Sequence, residues 1–174
     1  MKRNVRWVVL AGLCLAAVLG GCNTGSVEEI DDTPEGDSFE LRLTGRGSAR
    51  YEKVLLGVGR IEVTANGAAV PFRRARGTRN MDLTREDHSY LLGHFYLPTG
   101  VDEAELVVNF DDVGAYTEAG ASGLINARSG AVVFKTKRVE LEKRRHVVIE
   151  LHLNDSLFQA QGGRVLLPET FIVH

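Results

Sequence analysis

The stretch Ile61-Glu62-Val63-Thr64-Ala65-Asn66-Gly67-Ala68-Ala69-Val70-Pro71-Phe72 carries the strongest fold signal in the chain. Asn66-Gly67 favours a two-residue hairpin, because both residues tolerate the positive φ of a type I′ turn. Counting outward pairs Ala65 with Ala68, Val63 with Val70 and Ile61 with Phe72. All six fall on one face, so turn chemistry and hydrophobic pattern predict the same antiparallel register. Upstream, Val54, Leu56 and Val58 alternate in the opposite parity, with Gly57 and Gly59 beside the change. A β-bulge near Gly59 would absorb the extra residue and keep both triplets on the core side.

The period of two recurs in both directions from this hairpin. Phe39, Leu41 and Leu43 alternate with Glu40, Arg42 and Thr44 before a break at Gly45-Arg46-Gly47-Ser48. Residues 89–97 read as a strand stopped by the turn Pro98-Thr99-Gly100. Ala104, Leu106, Val108 and Phe110 form the next, closed by Asp111-Asp112. Residues 114–130 are rich in Gly, Ala and Ser, show no sustained period and read as a long loop. Val132 and Phe134 mark a further strand, after which Val139 and Leu141 lead into a charged turn over 142–145. Val147, Ile149, Leu151 and Leu153, opposed by His146, Val148, Glu150 and His152, predict a central strand. Val165 and Leu167, then Phe171 and Val173, supply closing strands around Pro168. About eight short strands with regular turn signals predict an all-β domain over 38–174, a single antiparallel Greek-key β-sandwich. Glycine, present nineteen times, and β-branched residues interrupt every window long enough for a helix.

The N-terminus has a different character. Lys2, Arg3 and Arg6 precede an apolar run over 7–19, the charged-then-apolar order of an export signal. Leu19-Gly20-Gly21-Cys22 then resembles the lipobox of bacterial lipoprotein signals, where an aliphatic residue and two small residues precede a lipid-modified cysteine. The resemblance implies a signal peptide over 1–21 and a mature chain starting at Cys22. A covalent lipid on that cysteine is then the membrane anchor, with no other cofactor. An ordinary secretory signal would carry an A-x-A-like site, and a transmembrane helix needs about 20 apolar residues, more than this run offers. In Gram-negative lipoproteins an aspartate after the cysteine favours the inner membrane. Asn23 stands there, which implies the outer membrane if the cell has one. Residues 22–37 include Glu28, Glu29, Asp31, Asp32, Glu35 and Asp37 and almost no apolar side chain, so they are expected to form a disordered acidic linker.

Composition narrows the chemistry. The formal net charge is −2, and losing Lys2, Arg3 and Arg6 with the signal takes the mature chain to −5. That balance offers nothing to nucleic acid. Cys14 departs with the signal and Cys22 is acylated, so no disulfide and no thiol nucleophile are expected in the mature domain.

Five short segments resemble a bacterial lipoprotein family defined by a domain of unknown function and grouped with prealbumin-like and carboxypeptidase-regulatory-like sandwiches. They are Val58-Gly59-Arg60-Ile61-Glu62-Val63, Asp82-Leu83, Leu97-Pro98-Thr99-Gly100, Asp155-Ser156-Leu157 and Leu166-Leu167-Pro168. The family often places an aromatic soon after the proline-glycine turn, whereas Val101, Asp102 and Glu103 stand here. The resemblance implies a sandwich and brings no catalytic residues with it.

Few constellations suggest catalysis. His146, Glu150 and His152 share one strand face, but zinc wants three or four convergent ligands, and His88, His94 and His174 are scattered. Asp111, Asp112 and Asp155 lack the loop spacing of a calcium site. No G-x-S-x-G, S-x-x-K or H-E-x-x-H occurs, and Gly57-Val58-Gly59 lacks the third glycine of a dinucleotide cradle. Arg73, Arg74, Arg76 and Arg79 are the candidate partner-binding residues, since guanidinium forks suit carboxylate and phosphate. Glu86 and Asp87 are close enough in sequence to neutralise them in part.

These observations predict a non-enzymatic, lipid-anchored cell-envelope domain that presents the arginine loop and the 114–130 loop to a glycan or protein partner. One alternative is an envelope enzyme with a site assembled from dispersed His, Asp and Glu residues. Another is a structural subunit recognisable by an exposed apolar patch on one sheet.

Overall fold

The computed structural model describes residues 34–174; the expected signal at 1–21, Cys22 and the expected linker as far as 33 lie outside the described residues. In chain order the strands begin with β1 (Asp37–Arg46), β2 (Lys53–Leu56), β3 (Val58–Ala65), β4 (Ala68–Ala69), β5 (Phe72–Arg74) and β6 (Met81–Asp82). Then follow β7 (Tyr90–Leu97), β8 (Glu103–Phe110), β9 (Val113–Glu118), β10 (Ala121–Asn126) and β11 (Ala131–Lys137). Helix α1 (Arg138–Arg144), β12 (His146–His152) and helix α2 (Leu153–Ser156) lead to β13 (Leu157–Ala160), β14 (Gly163–Leu166) and β15 (Thr170–Val173).

The domain is all-β, but its strands form three sheets rather than one two-sheet antiparallel sandwich. Sheet I runs β15-β12-β1-β7-β5, sheet II β13-β14-β10-β9-β2-β6, and sheet III β11-β8-β3-β4. Two pairings are parallel, β1 with β12 and β10 with β14, so the sheets are mixed. All three feed one hydrophobic core, with Phe39, Leu41 and Ile149 from sheet I, Val54, Leu56 and Ile125 from sheet II, and Leu106 and Val108 from sheet III.

The hairpin reading holds at its tip and fails at its base. Asn66 and Gly67 take φ of 50° and 76°, Ala65 faces Ala68, and Val70 N–H donates to the Val63 carbonyl at 2.8 Å. Phe72, however, pairs with Phe95 of sheet I instead of Ile61. Pro71 has no N–H to continue the ladder, and its carbonyl accepts from Tyr96 N–H in the other sheet. The bulge at Gly59 is present as a register shift between Val58 and Arg60. It coincides with a change of sheet, because β2 belongs to sheet II and β3 to sheet III.

Other expectations need correcting. Residues 114–130 are not a loop, since β9 and β10 form a hairpin through Ala119 (φ 49°) and Gly120 (φ 75°). Their inward positions include Gly114 and Gly123, which hide the apolar alternation. A Cβ on Gly114 would lie 2.5 Å from Leu56 Cδ2, and one on Gly123 would lie 2.6 Å from the Tyr116 ring. Residues 138–144 form a helical turn that buries Leu141, with Glu140 in its first turn, Lys143 and Arg144 in its last, and Arg145 closing it at φ 61°. Those charges suit the helix dipole, but seven residues are too few to display a 3.6 period.

Strand β12 is interior but not central. That place belongs to β1, ten residues long, which starts at Asp37 and continues through Gly45 and Arg46, inside the segments expected to be linker and loop. At the C-terminus the parity is reversed: Leu166 is buried and Ile172 packs on the core, whereas Leu167 and Phe171 are exposed.

Glycine content tests the packing directly. A Cβ at Gly45 would collide with the Leu83 carbonyl oxygen, whereas one at Gly67 meets nothing within 4 Å and suffers only from the positive φ. Gly45→Ala is expected to cost about 3 kcal/mol through overpacking, and Gly67→Ala about 1–2 kcal/mol. Thermal denaturation of the two variants side by side checks the order.

Candidate functional site

The four candidate arginines do not act alike. Arg73 and Arg74 lie on β5, and Arg76 and Arg79 in the exposed loop beyond it. Arg74 is committed to the fold. Its Nε donates to Thr78 Oγ1 at 2.9 Å, one terminal nitrogen donates to the Gly59 carbonyl at 2.6 Å, and the other donates to the Val58 carbonyl. Its guanidinium therefore binds the backbone where the chain passes from sheet II to sheet III, which removes it from any anion-binding group. Arg73, Arg76 and Arg79 form no ion pair among the described residues. Glu86, expected to neutralise them, instead accepts from Ser48 N–H and Oγ, both at 2.8 Å. Those two bonds hold its carboxyl below the usual range.

The outer face of sheet I gathers polar groups that sequence spacing could not connect. The cross-strand register places Arg73, His94, Glu40 and His146 in one row over β5, β7, β1 and β12. Glu40 accepts from Arg42 Nε at 2.7 Å and lies 3.7 Å from His94 Nε2. The Arg42 bond lowers the Glu40 carboxyl below its ordinary value, with smaller help from His94 and His146. Glu150, which shares its strand face with His152, is held by Arg46 at 2.8 Å. His152 packs edge-on to Phe171, His88 packs edge-on to Tyr90, and His174 bonds Thr136 at 2.7 Å. Among the described residues, no three His, Cys, Asp or Glu side chains converge on a metal position.

The aspartates do local work. A Cβ on Gly57 would clash with the Asp111 carboxylate, and one on Gly59 would come within 3.2 Å of it, so Asp111 fixes both glycines. Asp112 pairs with Arg128 at 3.2 Å, and Asp155 is exposed within α2.

One cluster had no forewarning beyond a single basic residue in a short apolar alternation. Arg164 on β14 is buried, donates to Glu118 and lies 5.7 Å from the Tyr51 ring centroid and 5.5 Å from that of Tyr116. Arg50 also reaches Glu118, at 3.2 Å. Arg164 Nε has no hydrogen-bond partner. The aromatic faces attract the cation while Glu118 neutralises it, which makes its burial tolerable.

No family model matches the chain, and neither a curated protein nor a solved structure matches it.

Arg74→Ala strands two carbonyls and is expected to cost about 2 kcal/mol, whereas Arg73→Ala and Arg76→Ala should stay within about 0.5 kcal/mol of the parent. Urea denaturation separates these outcomes. The pH dependence of stability gives a second test. Arg164 bonding holds the Glu118 carboxyl below the usual range, so its contribution is present above that range and lost as pH falls through the lowered folded value. Glu118→Gln should therefore lower stability near neutrality and flatten its decline in acid. A parallel acid limb in the variant would contradict this.

Proposed function

We propose that the chain is a bacterial lipoprotein, anchored to the cell envelope through a lipid on Cys22, whose all-β domain binds a partner without catalysing a reaction. The observation that carries the reading is Leu19-Gly20-Gly21-Cys22 behind Lys2, Arg3, Arg6 and the apolar run at 7–19. Asn23 favours the outer membrane in a Gram-negative cell. Five sequence segments support membership of the lipoprotein family of unknown-function domains named above.

Within the domain, the partner surface we favour is Arg73, Arg76 and Arg79. Three exposed guanidiniums with no ion pair among the described residues suit an anionic glycan or an acidic protein surface. The hairpin at 113–126 is a lesser candidate, because its residues are committed to sheet II.

Intact mass analysis of the protein recovered from membranes tests the anchor. The expected product starts at Cys22 and carries a diacylglyceryl group, and Cys22→Ser should leave the precursor unprocessed and unable to incorporate labelled fatty acid. A full-length, unacylated, soluble chain would overturn the reading. For the partner surface, an Arg73→Ala/Arg76→Ala/Arg79→Ala triple variant should keep its melting temperature. It should lose binding to isolated envelope glycan by roughly tenfold, about what one or two charge-assisted bonds are worth. Unchanged binding would remove these arginines from the site.

A further inference from the structure

We propose that the outer face of β13, β14, β10 and β9 rests on the lipid bilayer to which the chain is anchored; this rests on the lipoprotein reading and adds a second, non-covalent contact to it. Ile125 and Leu166 point into the core, so the alternate residues point outward. Register then sets Phe158, Val165, Asn126 and Val113 in one row across the four strands. Leu124 sits beside that row, and Leu167 extends it where its N–H donates to the Ser156 carbonyl. Val113, Leu124, Phe158 and Leu167 are 59%, 61%, 50% and 51% exposed, high values for large apolar side chains. The remaining outward positions hold Ala115, Thr117, Ser122 and Ala160, so the four strands present no charge on this face.

Neither of the other sheets resembles it. Sheet I turns Glu40, Arg42, His94, His146 and Glu150 outward, and sheet III turns out Glu62, Glu105 and Lys135. Charge borders the neutral face at Lys53, exposed on β2 opposite Thr117, and at the self-compensated pair Arg128–Asp112. The one carboxylate on these strands, Glu118, has inward parity and is paired with Arg164 and Arg50, so no outward acid would repel anionic headgroups. Shallow contact would cover side chains alone, because the backbone groups between the strands are already paired within the sheet.

Size and tethering choose the occupant. Four strands about 4.8 Å apart, with up to six residues rising about 3.3 Å each, make a face of about 400 Å². A stable complex between soluble partners needs about 800 Å² from each side. A second copy of the chain is therefore poorly served by this surface. A bilayer needs no shape match, and the hollow of about 240 Å³ between Val113, Leu124 and Val165, edged by the polar Asn126, Gln161 and Arg164, can take up acyl ends and water alike. Fourteen residues separate Cys22 from Asp37, a span of at most about 50 Å. The anchor thus keeps the face at high effective concentration near the lipid, where weak apolar contact suffices.

The test uses full-length protein with Phe158→Trp as a reporter, because Trp7 is the single natural tryptophan and leaves with the signal. The acylated protein is reconstituted into phosphatidylethanolamine–phosphatidylglycerol vesicles containing brominated lipid. The Phe158→Trp indole should shift to the blue and be quenched, and a Leu124→Trp reporter should behave likewise. A Val133→Trp reporter on sheet III, at a position 61% exposed, should do neither. Absence of quenching in protein that floats with the vesicles overturns the proposal. So does a blue shift without quenching that tracks concentration-dependent sedimentation, which would assign the face to a second copy. If mass analysis shows no natural acylation, the lipoprotein reading fails separately. A Trp7→Phe/Cys14→Ser chain coupled at Cys22 to a maleimide phospholipid then still puts the face to the same quenching test.

Discussion

The junction at Val58-Gly59 is the constraint on which the three-sheet arrangement depends. Between Leu56 and Val58 the chain leaves sheet II and enters sheet III, and the register of β3 shifts between Val58 and Arg60. Arg74 answers from sheet I, with its guanidinium bound to the carbonyls of Val58 and Gly59 and to Thr78 Oγ1. Val58 N–H is satisfied by the Thr78 carbonyl at 2.9 Å, and Asp111 N–H by the Gly57 carbonyl at 2.8 Å. One side chain therefore ties a point on sheet I to the seam between the other two. The Val58 carbonyl is partly shielded and the Gly59 carbonyl exposed, so the guanidinium secures the seam chiefly by linking it to β5.

The Arg164 cluster performs a related task at the other side of sheet II. The ring of Tyr116 covers Gly123, and Tyr51 and Tyr116 flank the guanidinium that Glu118 neutralises. Tyr51 burial pushes its hydroxyl above the ordinary value, consistent with a ring enclosed by protein. A buried cation of this kind contributes specificity more surely than stability, because desolvation offsets much of its Coulomb gain. It joins β14 to β9 and to Tyr51 across the intervening β10.

The three outer faces divide the surface by chemistry. Sheet I carries a row of alternating charge and imidazole, sheet III is laced with Lys and Glu pairs such as Lys135–Glu103, and β13, β14, β10 and β9 of sheet II are neutral on their outer side. Charges laid along a strand face discourage association and keep a domain in water. Their absence from those four strands separates them from the rest, with Lys53 and Asp82 confined to the adjoining β2 and β6. The arginine loop lies at the end of sheet I opposite β15, so polar recognition and apolar contact are assigned to different elements.

The sequence by itself determined the all-β class, most strand positions, the Asn66-Gly67 turn and the Gly59 bulge. These depend on residues near one another in the chain: a period of two, a dipeptide that accepts positive φ, a parity change beside glycine. The resemblance of residues 1–22 to an export signal with a lipobox is local by nature as well. Tertiary structure decided what depends on distant partners. The parallel union of β1 with β12 spans about a hundred residues and leaves no local trace, because either neighbour satisfies the same alternation. Pro71 sends Phe72 to another sheet because a ladder hydrogen bond is missing there, and only the folded chain shows which carbonyls wait. The β9–β10 hairpin escaped notice because its inward glycines are small to admit Leu56 and Tyr116, contacts made by other strands or across the pair. Arg74 looked like its three neighbours for the same reason. Charge is written in the sequence, but whether a guanidinium meets solvent or the backbone is settled by which chain segment folds against it.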